Sequence, residues 1–209
     1  MEKEIPLFPL NLVVFPGEAL NLHIFEPRYR QLVNDCLDAG HGFGVPTFLD
    51  DKVEYGTEVE IVEVSMRYDD GRMDIKTRGV EIFKVVDFHS PWKDRLYAGG
   101  VVLAMQEGQQ EDADLSLRVQ DLAHELFNWL QVEEAVDIDK NTPLHDYIHK
   151  IGLKLEEEYE LLKMCDDGKR KQYVINHLKT IIPVLERTEM AKERIRLNGH
   201  FKNLDPLKF

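Results

Sequence analysis

The hydrophobic pattern of residues 7–37 changes twice, and each change marks a new element. An apolar run, Leu12-Val13-Val14-Phe15, stops at the turn dipeptide Pro16-Gly17. Leu20, Leu22 and Ile24 then alternate with Asn21, His23 and Phe25, which is strand spacing. After Glu26 the period lengthens. Pro27 suits the first helical position, where no backbone donor is needed. Tyr29, Leu32, Val33, Cys36 and Leu37 follow on one helical face. The pattern predicts strand, turn, strand and helix, with residues 1–6 as a polar lead-in and no nucleophile placed beside a base.

Further on, Phe43 to Leu49 reads as a short strand, with Pro46 suited to an edge. Thr57 to Tyr68 is the clearest strand. Val59 and Ile61 share one face, whereas Val62, Val64, Met66 and Tyr68 take the other parity, a one-residue slip of the kind a β-bulge produces. Asp69-Asp70-Gly71 signals a hairpin turn. The return strand runs through Met73, Ile75 and Thr77, with Gly79 as a bend or bulge, and ends at Ser90-Pro91. Tyr97 to Met105 makes the last strand. Short, turn-separated strands with one helix predict a small β-barrel.

The polar stretch Glu107 to Asp114 then separates two periods, giving a sheet part over residues 1–110 and a helical part over 111–209. Leu115, Val119, Leu122, Leu126 and Trp129 recur at helical steps. Thr142-Pro143 predicts a helix start before Leu144, Ile148 and Ile151. Leu155, Tyr159 and Leu162 mark a short helix that Asp166-Asp167-Gly168 closes. A long last helix carries Val174, Leu178, Ile181 and Leu185, with a kink expected at Pro183 and a stop at Gly199. Phe201, Leu204, Leu207 and Phe209 in the tail suggest docking onto a surface.

PLFPL at residues 6–10 and VVFPGEALNLHIFEPRYRQLV at residues 13–33 closely resemble the amino-terminal, substrate-binding domain of Lon proteases in its stand-alone bacterial form. The human protein cereblon carries a related domain. The resemblance continues through Gly42-Phe43-Gly44-Val45, the strand leading to Gly79, and helices up to about Leu197, so it covers nearly the whole chain. It implies an α+β fold, a PUA-like β-barrel followed by a helical bundle subdomain with a long C-terminal helix. It further implies a module that binds unfolded or degron-bearing polypeptide. No catalytic residue or cofactor is implied, since Lon's chemistry lies in other domains. A partner protease or chaperone would supply any ATP-driven step. Phe8, Phe15, His23, Phe43 and Tyr68 are the candidate peptide-binding residues. Glu26, Arg28, Tyr29 and Arg30 form either a recognition patch or, the favoured reading, a helix entry with Glu26 paired to an arginine and Tyr29 turned inward.

Charge narrows the partners. The net charge is −13, which disfavours nucleic acid, because phosphate neutralisation dominates that affinity. The alternative reading, an RNA-binding PUA-like protein, must rely on the basic stretch around Arg187 to Lys202. Residues 168–209 carry 4 acids and 10 bases, whereas residues 111–167 carry 16 acids and 5 bases. The amino terminus lacks a basic start and an apolar core, and no apolar run approaches a membrane span, so the expectation is a cytoplasmic protein without a signal peptide. Two distant cysteines, Cys36 and Cys165, suggest no disulfide framework. Nothing in the chain specifies an oligomeric state.

Several motifs stop short of chemistry. His124-Glu125-Leu126-Phe127-Asn128 has Asn where a zinc-protease helix needs its second histidine. His145 and His149 would share a helix face but lack an evident third ligand. Asp137-Ile138-Asp139-Lys140-Asn141 opens like a calcium loop, yet Thr142 replaces the needed glycine and Ile148 the bidentate glutamate. Around Gly168-Lys169-Arg170, Lys163 and Arg170 stand where a phosphate loop needs glycine and a hydroxyl. Ser65, Ser90 and Ser116 lie in no nucleophile motif. A third class, an autonomous peptidase, would need a serine–lysine pair assembled only in space.

Overall fold

A computed structural model describes residues 1–105, 112–130, 138 and 142–200. Among the described residues there are six strands: β1 (Glu2–Leu7), β2 (Ala19–Ile24), β3 (Phe43–Leu49), β4 (Lys52–Arg67), β5 (Met73–His89) and β6 (Ala98–Ala104). Four α-helices accompany them there: α1 (Pro27–Ala39), α2 (Ala113–Leu130), α3 (Leu155–Lys163) and α4 (Asp167–His200). The fold is a mixed sheet with helices, of the α+β class. None of the described helices is long and apolar enough to cross a membrane.

The sheet order is β2-β5-β4-β3-β1-β6, and β6 pairs with β5 as well. β1 runs parallel to β3, and the other pairings are antiparallel. Residues 1–6, expected as a polar lead-in, therefore supply a strand, with Glu2↔Leu103 through Leu7↔Ala98 in register against β6. Its partner lies about a hundred residues away in sequence, and no local signal reports it. The apolar run Leu12–Phe15, expected as a strand, is instead an irregular segment that buries Val13, Val14 and Phe15.

α1 forms as the pattern predicts. Pro27 stands in its first turn, and Gly40 closes it in the left-handed conformation at φ 69°, donating its N–H to the end of the helix. Tyr29, Leu32, Val33 and Cys36 are buried among Phe8, Val14, Ile24, Phe43, Val45, Val59, Met73 and Ile75. Phe8 stacks on Tyr29 with ring centroids 3.6 Å apart. Burial pushes the Cys36 thiol up to about 12, so this cysteine is a core group rather than a nucleophile.

The β4 slip is present as a register shift between Ile61 and Glu63, with two more between Glu58 and Val59 and between Val64 and Met66. Gly79 faces Val59, opposite one of these shifts. A Cβ at Gly79 would lie 2.2 Å from the Phe15 carbonyl oxygen, so the turn at Pro16-Gly17 can cross the strand only because residue 79 is glycine. Pro46, expected at an edge, sits in β3 between β1 and β4. Its carbonyl accepts the Leu10 N–H at 3.1 Å, so its ring nitrogen faces beyond the end of β1 and not β4, and the β4 ladder loses no donor.

The chain divides into two compact units. One comprises Met1–Gln109 with Pro143–Asp166, and the other Gln110–Thr142 with Asp167–Phe209. The segment 143–166, helical by its period, thus belongs with the sheet. Its expected helix after Thr142 is two 3-10 turns, Leu144–Asp146 and Ile148–Lys150, and Gly152 at φ 80° follows. So short a segment lacks the length for a stable α-helix and is held by buried Tyr147, Ile148 and Ile151. In α3 the Glu157 carboxylate accepts the Lys154 backbone N–H at 2.8 Å, and the Tyr55 N–H donates to the Tyr159 hydroxyl oxygen at 3.2 Å.

In the second unit α2 packs on α4. Val119, Ala123, Leu126, Phe127, Val174, Ile175, Leu178 and Ile182 are buried. Asp166-Asp167-Gly168, expected to close α3, lies at the start of α4. That helix continues through Pro183 and past Gly199 without interruption. The expected join at residues 107–111, most of the calcium-like stretch and the apolar tail positions 201–209 lie outside the described residues.

One polar cluster holds segment 143–166 to the sheet. His149 contacts Glu158 Oε1 through Nδ1 at 2.8 Å and Glu18 Oε1 through Nε2 at 3.0 Å. Its ring lies 5.7 Å from that of Phe15. Glu18 also accepts the Phe15 backbone N–H at 2.8 Å. Hydrogen bonds to Glu158 and Glu18 outweigh partial burial and push the His149 imidazolium up from its ordinary 6.5 to about 10.

Two outcomes follow. Leu32→Ala should lower stability by about 2–5 kcal/mol, read as a reduced urea midpoint with unchanged slope. A folded-state histidine pKa above the unfolded one gives stability that is complete below the unfolded pKa and lost as pH rises through the folded one. Stability should therefore decline between about pH 6.5 and 10. In urea titrations across that range, His149→Gln should flatten the decline.

Candidate functional site

The five sequence candidates separate by strand parity and packing. Phe8, Phe15 and Phe43 are 6%, 3% and 0% exposed. They are core residues and cannot form a peptide-binding surface, a correction that follows from their packing. Phe8 and Phe43 lie under α1, while Phe15 lies against His149. His23 and Tyr68 are exposed and adjacent, with ring centroids 5.9 Å apart.

The same patch collects residues that the sequence did not single out. Cross-strand register aligns His23 with Asp74, and Asp74 with Met66. The neighbouring rank, Ile24 and Met73, is buried, so the pleat turns His23, Asp74 and Met66 outward. Phe25 stacks near His23 at 6.1 Å. Phe25, Met66 and Tyr68 are 59%, 51% and 38% exposed. Three apolar or aromatic side chains therefore stand in solvent at one end of the β4–β5 hairpin. In the sequence, alternation with Leu20, Leu22 and Ile24 puts both His23 and Phe25 opposite to the core face, but only His23 is among the sequence candidates.

Polar contacts hold this patch. Asp74 Oδ1 accepts from His23 Nδ1 at 2.5 Å, and Asp74 Oδ2 accepts the Tyr68 hydroxyl at 2.8 Å. These two bonds, the His23 one first, hold the Asp74 carboxyl below its ordinary value. The bond to Asp74 raises the Tyr68 phenol. The Arg72 guanidinium carbon lies 5.1 Å from the centre of the Tyr68 ring, and Arg72 Nε bonds Asp70 at 2.6 Å. Arg30 donates to the Asp70 carbonyl at 2.6 Å. The His23 and Tyr68 rings are thus pre-positioned rather than free to collapse onto the strand. Beside the patch, Glu26 pairs with Arg28 at 2.8 Å, and Tyr29 is buried, the favoured of the two readings of that helix entry.

The near-motifs resolve into structural roles. Both nitrogens of His149 are engaged by different carboxylates, and His145 lies over Gly17, where a Cβ would sit 2.5 Å from its ring. The two imidazoles do not converge. His124 Nε2 contacts the Ile138 carbonyl at 2.5 Å, with Leu126 and Phe127 in the core of their unit. Among the described residues no group of three His, Cys, Asp or Glu is arranged to hold a metal ion. Ser65 and Ser116 donate to the carbonyls of Asp74 and Asp112. Gly168, Lys169 and Arg170 lie in the first turns of α4.

The arrangement presents exposed apolar and aromatic side chains beside polar groups that are already hydrogen-bonded to one another. A crystal structure of a Lon N-terminal domain protein from Xanthomonas campestris superposes with a TM-score of 0.63 and 29% identity, covering 83% of this chain and 98% of that one. The N-terminal domain of a Mycobacterium avium complex Lon protease gives a TM-score of 0.60 at 17% identity, over 85% of this chain and 98% of that one, a likeness of fold. The LON peptidase N-terminal domain and RING finger protein of Schizosaccharomyces pombe is 28% identical over 43% of this chain, a match that spans only 22% of the length of that protein. The family model described as the ATP-dependent protease La (LON) substrate-binding domain matches residues 4–180, and the chain belongs to that family.

Proposed function

We propose that this protein is a non-catalytic polypeptide-binding module that holds unfolded or degron-bearing segments on the patch formed by Phe25, Met66, Tyr68 and His23. The observation that carries this reading is the exposure of three large apolar side chains at one place on a domain of a substrate-binding family. Exposed aromatic groups held by hydrogen bonds bury apolar area on binding at little cost in side-chain entropy. Asp74, Arg72 and Arg30 rim the patch and supply polar partners for a peptide backbone. The patch is small, which suits weak, reversible capture of many segments rather than tight binding of one. A partner protease or chaperone supplies the energy-dependent step, and the module acts in the cytoplasm as an adaptor in protein quality control. The ring of pairings from β5 through β4, β3, β1 and β6 back to β5 supports a PUA-like barrel as the scaffold.

Fluorescence anisotropy with a labelled unfolded peptide and a labelled single-stranded RNA tests this reading. The peptide should bind with little salt dependence, and the RNA should not. The double variant Phe25→Asp, Tyr68→Ala should weaken peptide binding by roughly tenfold or more, as loss of two aromatic anchors does, with the urea midpoint unchanged. Equal peptide binding by wild type and variant would remove the patch from the account. Tight, salt-sensitive RNA binding without peptide binding would favour the RNA reading.

Purified protein should turn over neither ATP nor casein. ATP hydrolysis or casein cleavage that persists through repurification and disappears in a point variant would contradict the non-catalytic assignment.

A further inference from the structure

The far half of α4, in the second unit, carries a further surface. The buried apolar side chains of this helix, Val174, Ile175, Leu178 and Ile182, end before Pro183 among the described residues. Beyond it, Val184, Thr188, Ala191 and Ile195 recur at steps of four, three and four, the heptad spacing of a helix–helix seam. All four are exposed, Val184 at 57% and Ile195 at 72%. With Arg187 and Lys192 they line one shallow groove. Thr188 and Ala191 in the middle are small enough for another backbone to approach closely. Val184 and Ile195 would grip it at either end.

Helical geometry assigns the charges. At 100° per residue, Arg187 and Arg194 fall on one flank of the seam and Lys192 on the other, while Glu186, Glu189 and Glu193 fall towards the opposite side. Lys192 is partly neutralised by Glu189 at 2.6 Å. Arg187 and Arg194 form no ion pair among the described residues. An apolar seam with cations on both flanks selects its occupant by charge. A second copy of this chain would set Arg187, Arg194 and Lys192 against their own kind in either helix direction. The chain's own tail, FKNLDPLKF, is basic, with Lys202 and Lys208 against one acid, Asp205. Neither complements the seam.

We propose that the Val184–Ile195 face of α4 docks an acidic amphipathic helix of a partner protein, apolar at its seam positions and carrying Glu or Asp on both flanks. The family match ends at residue 180, so this surface lies outside the matched substrate-binding segment. It would let one molecule hold a client on the sheet and a partner on the helix.

The test uses the whole chain and two labelled synthetic peptides of three heptads each. Both have Leu at the seam positions, and one has Glu and the other Lys on the flanks. Anisotropy at low salt should show the Glu peptide bound at least roughly tenfold more tightly than the Lys peptide, the preference shrinking as salt screens the flanks. Ile195→Asp should abolish binding, and Arg187→Glu with Arg194→Glu should reverse the preference. These positions are exposed, so an unchanged circular dichroism melt is expected for each variant. Equal binding of the two peptides, no binding of either, or no reversal would overturn the proposal. So would a concentration-dependent dimer that Ile195→Asp dissociates, or Glu-peptide binding that appears only after truncation following His200, because each assigns the seam to another occupant.

Discussion

The crossing of the Pro16-Gly17 turn over Gly79 is the constraint on which the sheet unit depends. The Gly17 N–H donates to the Gly79 carbonyl, and the Gly79 N–H donates to the Glu18 carbonyl, both at 2.8 Å. β5 passes beneath this turn while pairing with β2, β4 and β6. Its register against β4 shifts beside Gly79, and an extra residue there bends the strand towards its third partner. Glu18, fixed by the same crossing, presents its carboxylate to His149. One glycine without a side chain thus lets backbone approach backbone, and a charged contact then fastens segment 143–166 to the sheet.

That clamp takes the form it does because its carboxylates are shielded, Glu158 being buried and Glu18 partly so, while the His149 ring reaches in from a more exposed position. A single carboxylate against a histidine in water contributes little. Two carboxylates against one imidazole in a partly dry setting, with Phe15 over the ring, keep the proton on the histidine across the neutral range. The pair His145 and His149, which by spacing resembles two metal ligands, is split by the change from α-helix to 3-10 turns. Each ring then faces a different neighbour.

The two outward surfaces differ in the physics that would fill them. The patch around Tyr68 is aromatic and hydrogen-bonded in place, with mixed charges at its rim. Under the proposed function, binding there would be governed by apolar area and would depend little on salt. The seam on α4 is aliphatic, shallow and flanked by cations, so charge decides its partner more than area does. The acidic character of the whole chain conceals this difference, because the 10 bases of residues 168–209 are outnumbered elsewhere.

What the sequence by itself determined was local. The 3.6-residue period of Tyr29, Leu32, Val33 and Cys36 set α1 and its buried face, since a helix must hide its apolar stripe. Asp70-Gly71 set the hairpin, and the parity slip after Ile61 marked a bulge, because strand side chains alternate strictly. The family string around HIFEPRYR was legible for the same reason: it is one continuous stretch. Tertiary structure alone decided whatever needed a distant partner. β1 is a strand because β6 lies beside it, Pro46 lies inside the sheet because its ring nitrogen faces beyond the end of β1, and segment 143–166 belongs to the sheet unit because Tyr147, Ile148 and Ile151 are buried there and His149 meets Glu18. Aromatic identity could not separate Phe8, Phe15 and Phe43 from Phe25 and Tyr68. A phenyl ring is equally apolar in both settings, and only the packing of α1 and the 3-10 segment determined which rings were covered and which were left exposed.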